Sequence, residues 1–122
     1  MNILVSMLLL VCLIGCDREA VRHAQDSLEN KAITSVQQAR SCVPGVSCMD
    51  SINRMLTIAE SHNIQIKNKG WMAYQDQSRI VVVFAFDRNK EPLGLTWYIE
   101  NDEIIPVNGL SRGVSVRQKI TF

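Results

Sequence analysis

The stretch IVVVFAFDRNKEPLGLTWYIE, residues 80–100, decides the fold. Its first seven residues are all apolar, which indicates a strand that is covered on both faces, or covered on one face and partly exposed on the other. Residues 93–99 then alternate between large apolar side chains and smaller or polar ones, which predicts a second strand with one buried face. Alternate residues of the two strands are expected to lie inside the core: Ile80, Val82, Phe84, Leu95 and Trp97.

The flanking sequence predicts further strands on both sides of this pair. Upstream, residues 64–74 have a period of two that Lys69-Gly70 interrupts, and a turn is expected at residues 76–78. Residues 87–92 are predicted to form a polar loop. Downstream, Asn101-Asp102 predicts a tight hairpin onto residues 103–105, and Pro106 places that strand at an edge or ends it early. After a loop at residues 107–113, an alternating strand is expected from residue 114 to 122.

Two helices are predicted before the strands. Residues 17–40 contain no proline or glycine and carry a narrow stripe of mostly small apolar residues at three- and four-residue spacing. This helix is interpreted either as a stalk or partner surface, or as an ordinary amphipathic helix lying on its own sheet. A second helix is expected to begin after Ser47, with Asp50 in its first turn, and to end at Asn63.

These elements place the chain in the α+β class. The prediction is two N-terminal helices, paired as an αα-hairpin, followed by a four- to five-stranded antiparallel meander. A chain of 122 residues has room for one such domain.

The first sixteen residues, MNILVSMLLLVCLIGC, carry no charged side chain. Their apolar core of about twelve residues would be roughly 18 Å long as a helix. A bilayer requires about 20 residues, so the length favours a cleaved export signal over a membrane-spanning helix. A short uncleaved anchor is the alternative.

The end of this leader, Leu13-Ile14-Gly15-Cys16, resembles the lipobox of bacterial lipoproteins: an aliphatic residue, a tolerated residue, a small residue and a cysteine. The resemblance implies cleavage before Cys16 and lipidation of its thiol. In enterobacterial relatives an acidic residue such as Asp17 keeps the protein in the inner membrane, facing the periplasm. The resulting division is a signal peptide over residues 1–15, a lipidated cysteine with a helical tether over 16–45, and a single α+β domain over 46–122.

The lipoprotein interpretation leaves Cys42 and Cys48 in the mature chain, because Cys12 is removed with the leader. In an oxidising periplasm we expect these two cysteines to form a disulfide, since Pro44-Gly45 between them predicts a turn. Free thiols are an alternative. Five intervening residues do not match a redox C-x-x-C motif, and neither histidine stands at zinc-ligand spacing.

No catalytic, phosphate-binding or metal-binding motif is found in the sequence. Asp87 and Glu100 at strand ends are a weak carboxylate pair, and the three basic residues at positions 112, 117 and 119 are interpreted as a solvated edge. A net charge of +1 does not provide a positive electrostatic field that would attract nucleic acid. No cofactor and no metal are expected.

The first hypothesis for function is a non-enzymatic, lipid-anchored interaction module that binds another envelope protein, of the secretion or conjugation accessory, exclusion or inhibitor type. An exposed apolar patch would favour it. The alternatives are a small apolar-ligand carrier or sensor, with a cavity lined by Met55, Trp71 and Trp97, and a small enzyme without a recognisable motif.

Overall fold

The computed structural model describes residues 26–120, and this part of the chain is α+β, as predicted. Helix α1 covers residues 26–38 of the described part and helix α2 covers Cys48–Ser61. A five-stranded antiparallel sheet follows, in the order β1-β2-β3-β4-β5. The strands are β1 (Ile66–Asp76), β2 (Arg79–Arg88), β3 (Glu91–Glu100), β4 (Glu103–Pro106) and β5 (Gln118–Lys119), with a short helix α3 (Gly109–Val114) between the last two.

Two-residue turns connect the long strands. Asn101 and Asp102 both adopt positive φ (52° and 60°), the conformation that a tight antiparallel hairpin requires, and this turn is the predicted one. Asn89 and Lys90 form a second such turn, with φ of 49° and 67°. The predicted polar loop over residues 87–92 is therefore wrong, because the outer residues of that segment pair in the ladder between β2 and β3.

The core lies on one face of the sheet, where the helices pack. Four of the five predicted core residues are fully buried, and Ile80 is half-buried against the same cluster. Ala32 and Val36 of α1, and Ala39 just after it, belong to this cluster as well. The packed part of the chain therefore begins before residue 46, within the segment for which a tether was expected.

The prediction of two N-terminal helices paired as an αα-hairpin is not confirmed. The two substantial helices are described after residue 25, and the apolar sides of both are buried in the core of the sheet. The start of α2 is as predicted, because the Ser47 side chain accepts a hydrogen bond from the Asp50 amide (3.2 Å). Asn63 follows the helix with φ of 62°, which ends it. Within residues 26–120 no helix is both long and apolar enough to span a bilayer.

The C-terminal segment differs most from the prediction. Residues 109–114 are helical where a loop was expected, and the strand expected over residues 114–122 is reduced to Gln118–Lys119 in the described part. The cause is local: the Asn108 side chain accepts from the Ser111 amide, and the Ser111 hydroxyl accepts from the Asn108 amide (both 3.1 Å). This capping box begins a helix in spite of the glycines.

Candidate protein-binding surface

The face of the sheet opposite the core, called the back face here, is defined by seven side chains in two rows. One row crosses four strands and the other crosses three. The rows are Tyr74–Val81–Tyr98–Ile105 and Met72–Val83–Thr96. The buried apolar side chains of the described helices all join the cluster on the other face. The back face is thus an apolar sheet surface that no helix of residues 26–120 covers.

Exposure along these rows is uneven. Met72 and Tyr74 are 52% and 48% exposed, which is unusual for neighbouring large side chains on one strand. Val81 is only 3% exposed, although it lies outside the core cluster, because Tyr74 and Tyr98 flank it in the row. Uncovered apolar surface of this kind, when contiguous, marks protein-binding sites in soluble domains.

Charged pairs lie at both ends of the back face along the strand direction, one beyond each apolar row. At one end the Arg79 guanidinium lies over the Tyr98 ring, 4.0 Å from its centroid, and 3.3 Å from Asp76 Oδ2. At the other end the Lys69 Nζ lies 3.0 Å from Asp87 Oδ1. An apolar centre with a charged rim is the usual arrangement of a protein interface.

A strip of residues with small side chains or none separates the apolar rows from the Lys69–Asp87 pair. It consists of Gly70, Ala85 and Gly94, which are paired across β1, β2 and β3. At Gly94 a Cβ would meet the Val83 Cγ1 at 3.5 Å, an ordinary contact distance, so the packing there does not itself require glycine. Because these three residues have little or no side chain, the surface of the back face is lower along this strip than along the apolar rows.

The two cysteines of the predicted disulfide are both free thiols in the structure. Cys42 is exposed, with its Sγ 3.4 Å from the Arg112 carbonyl and 3.7 Å from the Ser115 carbonyl. Cys48 is fully buried, and burial raises the pKa of its thiol to about 12, while a hydrogen bond with Ser115 acts in the opposite direction. Both thiols therefore lie beside Ser115, and their pairing stays a prediction.

The lipobox residues Leu13, Ile14, Gly15 and Cys16 and the sorting residue Asp17 lie outside the described residues. Cleavage, lipidation and membrane sorting therefore stay predictions. His23 lies outside as well, and His62 is exposed at the end of α2, where its Nδ1 is 2.8 Å from the Ile58 carbonyl.

The weak carboxylate pair is not brought together. Asp87 pairs with Pro92 at one end of β3, whereas Glu100 closes the other end, so about 26 Å of strand separates them. Among residues 26–120 no three His, Cys, Asp or Glu side chains are grouped for a metal ion. Of the three basic residues near the C-terminus, Arg117 pairs with Glu103 and Arg112 donates to the Val107 carbonyl (2.7 Å).

The three residues expected to line a ligand cavity do not share one. Trp97 is fully buried, and Trp71 is stacked against it with ring centroids 5.6 Å apart. Met55 instead faces an open groove of about 430 Å³ between α2 and α3, together with Ile58 and Leu110. The side chains that were expected to hold a ligand therefore fill the core or face this groove.

Sequence reasoning identified the strands of the back face but not the surface itself. The alternation in residues 93–100 placed Thr96 and Tyr98 away from the core. The available signal was the pair Tyr74 and Tyr98 at matching positions of two strands.

Comparison with known proteins yields no family: no family model, no curated protein and no solved structure matches this chain.

Proposed function

We propose that this protein is a lipid-anchored, periplasm-facing interaction module that binds another envelope protein through the back face of its sheet. It acts without catalysis, as an accessory of a secretion or conjugation apparatus, an exclusion factor or an inhibitor does. The observation that carries the proposal is the uncovered apolar surface around Met72 and Tyr74, with ion pairs at both ends.

The size of this surface suits a protein partner. The three long strands extend about 33 Å and span about 10 Å, and β4, with four residues, adds about 5 Å over a length of about 13 Å, so the face covers roughly 400 Å² before side-chain relief is counted. A standard interface buries about 800 Å² on each partner. An interface centred on the two rows would therefore reach the ion pairs at both ends. Tyr74 and Tyr98 supply the aromatic anchors in which binding energy is typically concentrated.

The lipid anchor supports the same function. Nine residues lie between Cys16 and Asp26, the first described helical residue, so the chain restricts the domain to within about 35 Å of the acylated cysteine. Several acyl chains hold a protein at the membrane essentially permanently. A partner in the same membrane is then met at high effective concentration, which makes a modest interface sufficient.

The test compares two lysine substitutions in the full, membrane-bound protein. Tyr74→Lys places a charge at the exposed β1 end of its apolar row, and Thr57→Lys places the same charge on the exposed side of α2. After chemical cross-linking in cells and affinity purification, we expect one envelope protein to be recovered with the parent chain and with Thr57→Lys. Recovery with Tyr74→Lys should fall about tenfold or more, because a lysine cannot be desolvated there without a partner charge.

Membrane fractionation of all three proteins provides the control, since neither substitution touches the leader. Equal recovery of the partner with Tyr74→Lys and Thr57→Lys would refute binding through the back face. A Cys16→Ser variant tests the anchor separately, because it should release the domain from the membrane while the back face is intact.

A further inference from the structure

Strand β1 is an edge of the sheet and pairs only with β2 among the described residues. At eleven residues it is long for an edge strand. Its outer side presents a row of backbone donors and acceptors, and proteins usually protect such a row with lysines, prolines or bulges. How β1 is protected therefore shows where another strand can add.

Protection of β1 is confined to its first half. A bulge lies between Asn68 and Gly70, with Lys69 as the bulged residue and Lys67 just before it. The second half, residues 71–76 (WMAYQD), pairs with β2 without irregularity and contains no proline and no lysine. About six residues of regular strand are thus open to pairing.

The charges of β1 indicate what pairs with it. Lys69 near one end and Asp76 at the other have side chains that are 47% and 44% exposed, and both lie on the back face. In an antiparallel pair of two such strands, the lysine end of each copy meets the aspartate end of the other. The edge is therefore complementary to itself in the antiparallel orientation and repulsive in the parallel one.

We infer that β1 pairs antiparallel with β1 of a second copy about Ala73, joining two five-stranded sheets into one of ten strands. A two-fold axis requires that one residue face its own copy, and Ala73 is the small residue at the centre of the regular half. Met72 then lies opposite Tyr74 of the second copy. Gly70 lies opposite Asp76 of the second copy, which brings that carboxylate beside Lys69.

This pairing joins the two back faces into one continuous surface. The apolar rows of one copy continue into those of the other through the Met72–Tyr74 contacts, so the area of the face roughly doubles, to about 800 Å². The inference does not rest on the proposed function, because it concerns the edge of β1 and a second copy rather than the back face and another protein.

The test is a charge exchange read by sedimentation equilibrium of the full chain, in detergent matched to the density of the solvent. K69E places two carboxylates together at each end of the pair, and D76K places two ammonium groups together. Each substitution should raise the dimer dissociation constant roughly tenfold, because two contacts change sign. K69E/D76K restores opposite charges and should return the constant to within about threefold of the parent.

The exchange separates contacts between copies from contacts within one. Inside a single chain Lys69 pairs with Asp87 and Asp76 pairs with Arg79, so a purely internal effect would make the double variant weaker than either single one. A parent chain that stays monomeric, or a double variant that dissociates as readily as the single ones, would overturn the inference. Circular dichroism spectra and melting curves establish that each variant is folded.

Discussion

Replacing Ser115 with alanine should destabilise the domain clearly. Trp97, which is fully buried, donates its Nε1 hydrogen to the Ser115 Oγ (2.8 Å), and that hydroxyl donates to the Ser111 carbonyl (2.8 Å). The substitution leaves the indole donor and one carbonyl without these partners in the core. An unsatisfied buried group costs about 1–3 kcal/mol, so the free energy of unfolding should fall by about 2 kcal/mol. For a domain of about 100 residues this lowers Tm by roughly 10 °C.

Urea unfolding followed by circular dichroism measures the change, with Ser35→Ala as the matched control. Ser35 also donates to a main-chain carbonyl, that of Lys31 (2.8 Å), but at an exposed site, so its removal should change stability by less than about 0.5 kcal/mol. In a Trp97→Phe background no indole donor is left unpaired, and Ser115→Ala should cost at least about 1 kcal/mol less. Equal costs in the two backgrounds, or a cost at Ser115 no larger than at Ser35, would refute the reasoning.

Three further perturbations follow from particular residues. The pKa of the Cys48 thiol is about 12 in the folded protein against an ordinary 9.0, so this thiol ionises first in the unfolded chain as pH rises. The free energy of unfolding should therefore be unaffected below about pH 9. Between about pH 9 and pH 12 it should fall with a limiting slope of about 1.4 kcal/mol per pH unit. With both cysteines kept reduced, urea unfolding at pH 8 and pH 10 should therefore show a drop in the parent that is absent in Cys48→Ala. Lys90→Gly should raise the free energy of unfolding by about 0.5–1 kcal/mol, because Lys90 adopts φ of 67° in a two-residue turn for which Asn-Gly is the preferred pair; an unchanged urea midpoint would contradict this. Intact mass of the membrane-extracted protein should correspond to a chain that begins at an acylated Cys16, and retention of Met1 would contradict the lipoprotein interpretation.

The long strands were predictable because burial on one face imposes a period of two. Val82, Phe84, Leu95 and Trp97 were placed in the core from this alternation alone, and the structure buries all four. The same rule failed at the C-terminus, where residues 114–120 also alternate. There the hydrogen bonds of the capping box between Asn108 and Ser111 start a helix, and hydrophobic periodicity carries no information about such local hydrogen bonds.

Only part of the candidate surface could be predicted from the sequence. The all-apolar residues of β2 indicated either two covered faces or one face partly exposed, and the alternation in β3 showed which side chains point away from the core. Whether a helix covers them depends on where α1 and α2 pack in three dimensions, which no local pattern encodes. The state of Cys42 and Cys48 depends on the redox compartment as well as on the fold, so spacing alone does not determine it.

The central claim is that the back face of the sheet contacts another protein. A photoreactive amino acid at the position of Val83, in the centre of that face, tests it directly in intact cells, with the position of Thr57 on α2 as the control. The account predicts a discrete adduct with one envelope protein from position 83, abolished by Tyr98→Lys on the same face, and no such adduct from position 57. The same adducts from both positions, or none from position 83, would contradict it.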